Sequence, residues 1–255
     1  MTSNDYVIDA KTRVASAGLR WSEAEDKEAL AHILSDDIVS RLQAAIARGA
    51  GASLVVSGGS TPAPVFACLS EADIDWSQVK VTLADERWVP PGHPDSNESL
   101  VRDTLLVRKA ASAQFVSLYR DGISPELAVA EVAVDLKQMA SPFTVVILGM
   151  GNDGHTASLF PDAPGAQLSR AMDLNNAEGL ALMHPASVPQ TRITLTRRAL
   201  LNANHRYLHI TGEQKCQVLY DAIGDKPDEG YRDGMAPVSG LLLESPESAS
   251  VFWSP

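Results

Sequence analysis

The sequence predicts an α/β fold, a parallel sheet covered by helices. Short β-branched apolar runs alternate with longer stretches of helical periodicity, and glycine-bearing or polar loops follow the strand-like runs. With 255 residues, 45% of them hydrophobic, the chain can bury one large core, so a single domain over 1–255 is expected.

The elements follow in order. Ser22 with Glu25 three residues later forms a capping box, and Leu30, Ile33, Leu34, Ile38, Leu42 and Ile46 keep helical spacing until Gly49. SLVVS (53–57) reads as a strand, GGSTP as a turn and 63–72 as a helix. VKVTLA (79–84) is a second strand, followed by the polar loop DERWVPPGHPDSN and a short helix, ESLVRDTLL, which Asn97 is placed to cap. Residues 125–140 are helical, FTVVILG (143–149) is a buried strand, and MGNDGHTASLFP is the loop beyond it. The stretch 162–179 reads as irregular, RITLT and HRYLHITG as strands, 213–223 as a helix, and 224–237 as a mobile, turn-rich loop.

Charge narrows the function classes. Against 21 basic residues stand 32 acidic ones, and a net charge of −11 disfavours contact with nucleic acid or an anionic membrane. An anionic ligand must then be held by a few local cations. No run approaches the roughly 18 apolar residues of a membrane span, and the N-terminus lacks an apolar run behind a basic start, so a cytoplasmic location is expected. The two cysteines, Cys68 and Cys216, fall in helical stretches without a CxxC neighbour and read as reduced, structural thiols. His205 and His209 lie in one strand, where four residues span about 13 Å, too far to share a metal; no metal is expected.

Four segments carry chemistry. In SGGSTP (57–62), Gly58 and Gly59 let the backbone approach a ligand, Ser60 and Thr61 offer hydroxyls beside a helix start, and Pro62 suits the first turn. This outlines a phosphate cradle without the lysine of a Walker loop or the third glycine of a dinucleotide fingerprint. Asp85, Glu86 and Arg87 follow a strand end, where charges are costly to bury unless they pair or face a ligand. In GMGNDGHTASLFP (149–161), glycines surround Asp153 and His155 just past an apolar strand; a histidine beside a carboxylate is a general-base arrangement. Arg192 and Lys215, at the starts of a strand and a helix, are candidate anion ligands.

Taken together, SGGSTP, DERWVP with the following DSN, GMGNDGHTASLFP, RITLT and GEQK resemble the glucosamine-6-phosphate isomerase/6-phosphogluconolactonase family, in the same order and over roughly residues 20–250. The resemblance implies a Rossmann-like sheet of the glucosamine-6-phosphate deaminase type, hydrolysis of a phosphorylated sugar lactone in the oxidative pentose phosphate pathway, and no cofactor. It assigns His155 as base with Asp153 beside it and Arg87 near the reacting sugar. The phosphate falls to Gly58, Gly59, Ser60 and Thr61 with Arg192 and Lys215, and Asp85 to the substrate site. Two alternatives stand beside it. The related deaminase-isomerase has DGHIAFNEP, with a glutamate where this chain has Phe160 and a tyrosine where it has Arg87. A sugar-phosphate sensor would need a DNA-binding helix-turn-helix, which the roughly 20 residues before the first expected helix are too few to hold. Both a monomer and a homodimer are compatible with the sequence.

Overall fold

The computed structural model of the chain describes residues 3–224, 232 and 234–255, so the expected turn-rich loop at 224–237 lies largely outside the described residues. Strands β2 (Ala52–Val56) and β6 (Phe143–Leu148) are buried at every position, which is why their sequences carry apolar residues without alternation. They lie side by side at the centre of a seven-stranded parallel sheet. On one side of β2 come β3 (Val79–Leu83) and β5 (Gln114–Val116); beyond β6 come β9 (Ala203–Thr211), β10 (Ala249–Ser254) and β1 (Arg20–Glu23). The chain therefore builds outward from β2, returns to β6 and builds outward the other way. The crevice between the carboxyl ends of β2 and β6 is the switch point, where such sheets bind ligands.

Helices cover the sheet: α1 (Ser3–Ser16), α2 (Lys27–Ala47), α3 (Ala63–Ser70), α4 (Asn97–Thr104), α5 (Pro125–Leu136), α6 (Gly165–Met172), α7 (Arg197–Leu201), α8 (Glu213–Ile223) and α9 (Pro237–Leu242). Among the described residues no helix is long and apolar enough to cross a membrane. Cys68 and Cys216 sit on α3 and α8 as free thiols, and burial pushes Cys216 up to about 12, so it stays protonated.

Several expectations change. Ser22 and Glu25 do not cap α2. Ser22 belongs to β1, paired with Phe252, and the cap is Asp26, whose carboxylate accepts from Ala29 N at 2.8 Å. The residues before α2 hold both a helix and a strand. Residues 162–179 are not wholly irregular, since α6 occupies two turns of them with Ala171 and Met172 buried. Asp85–Arg87 is not loop but strand β4, which with β8 (Arg192–Leu195) and β7 (Leu180–Met183) forms a three-stranded antiparallel sheet. RITLT thus lies outside the parallel sheet.

Glu86 explains why β4 forms there. Its carboxylate, fully buried, accepts the N–H groups of Arg87 (2.7 Å), Asn97 (2.8 Å) and Glu98 (2.7 Å) and the Ser96 hydroxyl (3.2 Å). It therefore occupies the positive end of α4 and satisfies donors that a helix start leaves open. Ser96 caps the helix, accepting from Ser99 N, and Asn97 is left to another task. Burial pushes the Glu86 carboxyl above its usual range, against the pull of those backbone N–H groups, and the Asp85 charge adds to the rise.

Replacing Glu86 with alanine leaves those donors buried without an acceptor, and the expected loss of unfolding free energy is about 3 kcal/mol. Urea denaturation of Glu86→Ala measures it; a loss under about 1 kcal/mol contradicts the anchoring role.

Candidate functional site

At the end of β6 the chain turns through Gly149–Gly154 and brings His155 back over the crevice. Gly151 N–H donates to the His155 carbonyl at 2.9 Å, and Thr156 Oγ donates to the Gly149 carbonyl at 2.8 Å, which closes the loop on itself. Asp153 Oδ1 accepts twice from His155, from the backbone N–H at 3.1 Å and from ring Nδ1 at 2.6 Å. An ionised carboxylate can only accept, so Nδ1 carries a proton, and in the neutral imidazole Nε2 presents the lone pair. Burial raises the Asp153 carboxyl, but the backbone and ring of His155 outweigh it and hold the group below its ordinary value. The other face of the imidazole stacks on Phe160, with ring centroids 4.1 Å apart. A Cβ on Gly151 would lie 2.2 Å from the His155 ring and 2.5 Å from Asp153 Oδ1, so only glycine leaves room for the pair.

The facing wall comes from β2. Ser57 Oγ donates to the Ile147 carbonyl at 3.1 Å and ties the two strand ends together. A Cβ on Gly58 would fall 1.8 Å from Asn97 Oδ1, and Gly59 has φ +92°, which explains the adjacent glycines. The N–H groups of Gly59, Ser60 and Thr61 make no hydrogen bond among the described residues, and no side chain caps α3. Free N–H groups ahead of a helix are the kind of donors that can hold an anion.

The third wall is β4. The Asp85 carboxylate accepts from Ser158 Oγ at 2.6 Å, and its carbonyl accepts from Asn97 Nδ2 at 2.9 Å. Arg87 Nη1 donates to the Asp95 carbonyl at 2.7 Å. Across the antiparallel pair, Arg87 stands opposite Arg192, which is buried with its Nε unpartnered. Burial and the Arg87 charge lower the Arg192 guanidinium against Asp85, Glu86 and Asp95. Lys215 Nζ donates to the Met150 carbonyl and to Asn152 Oδ1, each at 2.7 Å, and so braces the glycine loop from α8. Burial lowers its ammonium, and the Asp153 charge opposes that.

One cavity gathers Gly58, Gly59, Thr61, Asp85, Arg87 and His155. Four expected site residues stand off its lining: Ser60 is exposed, Asp153 is bonded to the His155 ring, Arg192 is the strand partner of Arg87, and Lys215 is bonded to the glycine loop. The lining also holds Asn97 and His209, which sequence reasoning did not place in the site. Asn97 sits one residue past the helix cap, and its helix-start signal hid its role in the site. His209 gave no local signal beyond a polar residue at the end of an apolar strand. Among the described residues no group of three or more His, Cys, Asp or Glu side chains converges to hold a metal ion.

Comparison with known proteins agrees with this architecture. The family model of glucosamine-6-phosphate isomerases/6-phosphogluconolactonase matches residues 25–253. A 6-phosphogluconolactonase of Rhizobium meliloti is 41% identical over 233 residues, 91% of this chain and 97% of that protein. One of Pseudomonas aeruginosa is 43% identical over 210 residues, 82% and 86% of the two chains. The crystal structure of a 6-phosphogluconolactonase from Shewanella baltica superposes with a TM-score of 0.85 at 40% identity, covering 93% of this chain and 98% of that one.

Because Gly151 is half-buried and Asn152 and Asp153 beside it are exposed, Gly151→Ala is expected to fold and to push the imidazole off its carboxylate. A misplacement of about 1 Å costs on the order of 100-fold in turnover. Steady-state kinetics with a melting curve check it; wild-type turnover in a folded variant contradicts the crowding.

Proposed function

The chain belongs to the glucosamine-6-phosphate isomerase/6-phosphogluconolactonase family and is a lactone hydrolase within it; from that premise we propose that it opens 6-phospho-D-glucono-1,5-lactone with His155 as general base. One observation carries the mechanism: a histidine whose Nδ1 is held by Asp153 and whose Nε2 is left unprotonated, on a cavity at the switch point. Nε2 takes a proton from water as its oxygen attacks the lactone carbonyl carbon. The oxyanion that forms needs positive charge or N–H donors, and Arg87 on the cavity wall supplies charge. When the intermediate collapses, the bond to the ring oxygen breaks and protonated His155 returns its proton to that oxygen. The product is 6-phospho-D-gluconate, whose new carboxyl group ionises, so the net reaction releases acid.

The phosphate is placed over the N–H groups of Gly59, Ser60 and Thr61, with Arg192 and Lys215 as the cations behind it. The unpartnered Arg192 Nε supports this, since a buried guanidinium without a carboxylate suits an anion that arrives with the substrate. Phe160, packed on His155, stands where a deaminase would need an acid to shuttle protons. A single catalytic domain and a cytoplasmic location belong to the same proposal.

The direct test is acid release from freshly generated 6-phosphogluconolactone, compared with spontaneous opening. The wild type accelerates release, and His155→Ala loses about 10²- to 10⁴-fold while staying folded. No acceleration by the wild type contradicts the activity, and full turnover in the variant contradicts the base.

A second comparison separates binding from chemistry. Phosphate binding is nearly equal in ground and transition states, so Arg192→Ala should raise KM about 10- to 150-fold with a smaller effect on kcat. Lys215→Ala should lower kcat as well, because it frees the Met150 carbonyl and Asn152. Phosphate-free gluconolactone should be indifferent to Arg192→Ala. If the substitution affects both lactones equally, Arg192 is not part of the phosphate site.

A further inference from the structure

His209 stands on β9 at a position the mechanism leaves unused. β6 ends at Leu148, opposite Leu208, so His209 is the first residue of β9 with no strand beside it on that side. The space opened there lies beneath Gly149–Gly151, and His209 lines the same cavity as Arg87 and His155. The side chain is only 4% exposed, yet neither ring nitrogen makes a hydrogen bond among the described residues, and Nδ1 is wholly buried without a partner. Tyr207, two residues earlier on the same face, meets Asp37 of α2 through its hydroxyl. Past Tyr207, no hydrogen bond to the imidazole forms among the described residues. A buried polar group without a partner costs free energy that folding alone does not return.

We infer that His209 is a substrate-contacting residue that holds a sugar hydroxyl through its neutral imidazole; the inference rests on the lactone reading above. The ring's charge state favours a hydroxyl over the phosphate. Burial alone pushes His209 down to about 4, so at neutral pH it offers one N–H and one lone pair. Nδ1 is sealed in the fold, so contact with a ligand falls to Nε2, and a hydroxyl suits it in either tautomer, accepting from Nε2–H or donating to a bare Nε2. A phosphate offers acceptors only and would set its charge against the imidazole lone pair.

The test uses two variants and the wild type. His209→Phe keeps a ring and loses both polar atoms, while His209→Gln keeps one donor and one acceptor. His209→Phe should raise KM for 6-phosphogluconolactone about 5- to 100-fold with kcat within about threefold, and His209→Gln should recover part of the loss. A structural role alone would not produce that recovery. In the wild type, the ¹⁵N signals of the His209 ring should move with 6-phospho-D-gluconate and with D-gluconate, and stay in place with inorganic phosphate. Wild-type KM in folded His209→Phe, or a His209 response to inorganic phosphate alone, overturns the inference. If His209→Phe does not fold, His209→Gln and the wild-type titration decide. If the wild type does not open the lactone, the functional reading fails by itself, and the D-gluconate titration still judges His209.

Discussion

The reversal of strand order between β2 and β6 is the constraint on which the site depends. Because the chain leaves these two central strands in opposite directions, no connection covers their carboxyl ends, and two loops face each other across a gap. Ser57 Oγ, bonded to the Ile147 carbonyl, sets the width of that gap. Each loop then needs glycine where the other parts of the site press on it: Gly58 against Asn97, and Gly151 against the His155–Asp153 pair. The placement of His155 and Asn97 follows from backbone clearance before any charge is considered.

Charge is then distributed in two ways around the crevice. The charge of Glu86 is met by structure, its carboxylate filled by N–H groups of α4 and β4, and it ties the small antiparallel sheet to the start of α4. Arg192 and His209 are buried with polar atoms that make no hydrogen bond among the described residues. His205, Gln217 and Ser254 carry such atoms away from the cavity, so burial alone does not mark a site; Arg192 and His209 differ in standing at the crevice, where sites for polar molecules trade stability for binding. In a chain of net charge −11, Arg87, Arg192 and Lys215 bring positive charge to the crevice beside the carboxylates of Asp85 and Asp153.

Much of this was legible in the sequence because it is local. The apolar runs of β2 and β6, the glycine turns after them and the periodicity of α2 each depend on neighbours within a few residues. What was not legible depends on distant partners. Strand β1 exists because Ser22 pairs with Phe252, and that pairing overrides the capping signal of Ser22 and Glu25. Strand β4 reads as a charged loop until Glu86 meets the start of α4 and Arg87 pairs with Arg192. The segments naming the site were found, yet they did not separate Arg87, on the wall, from Arg192 and Lys215, which stand off it. Asn97 and His209 entered only when the topology brought the end of β9 and the start of α4 to one cavity.

The account stands or falls on which nitrogen of His155 is free. Nitrogen-15 spectra of the imidazole, recorded where the ring is neutral, report this directly. With Asp153 accepting from Nδ1, the proton should reside on Nδ1 and Nε2 should show the shift of a bare nitrogen. A proton found on Nε2 would leave no base facing the cavity and would contradict the mechanism.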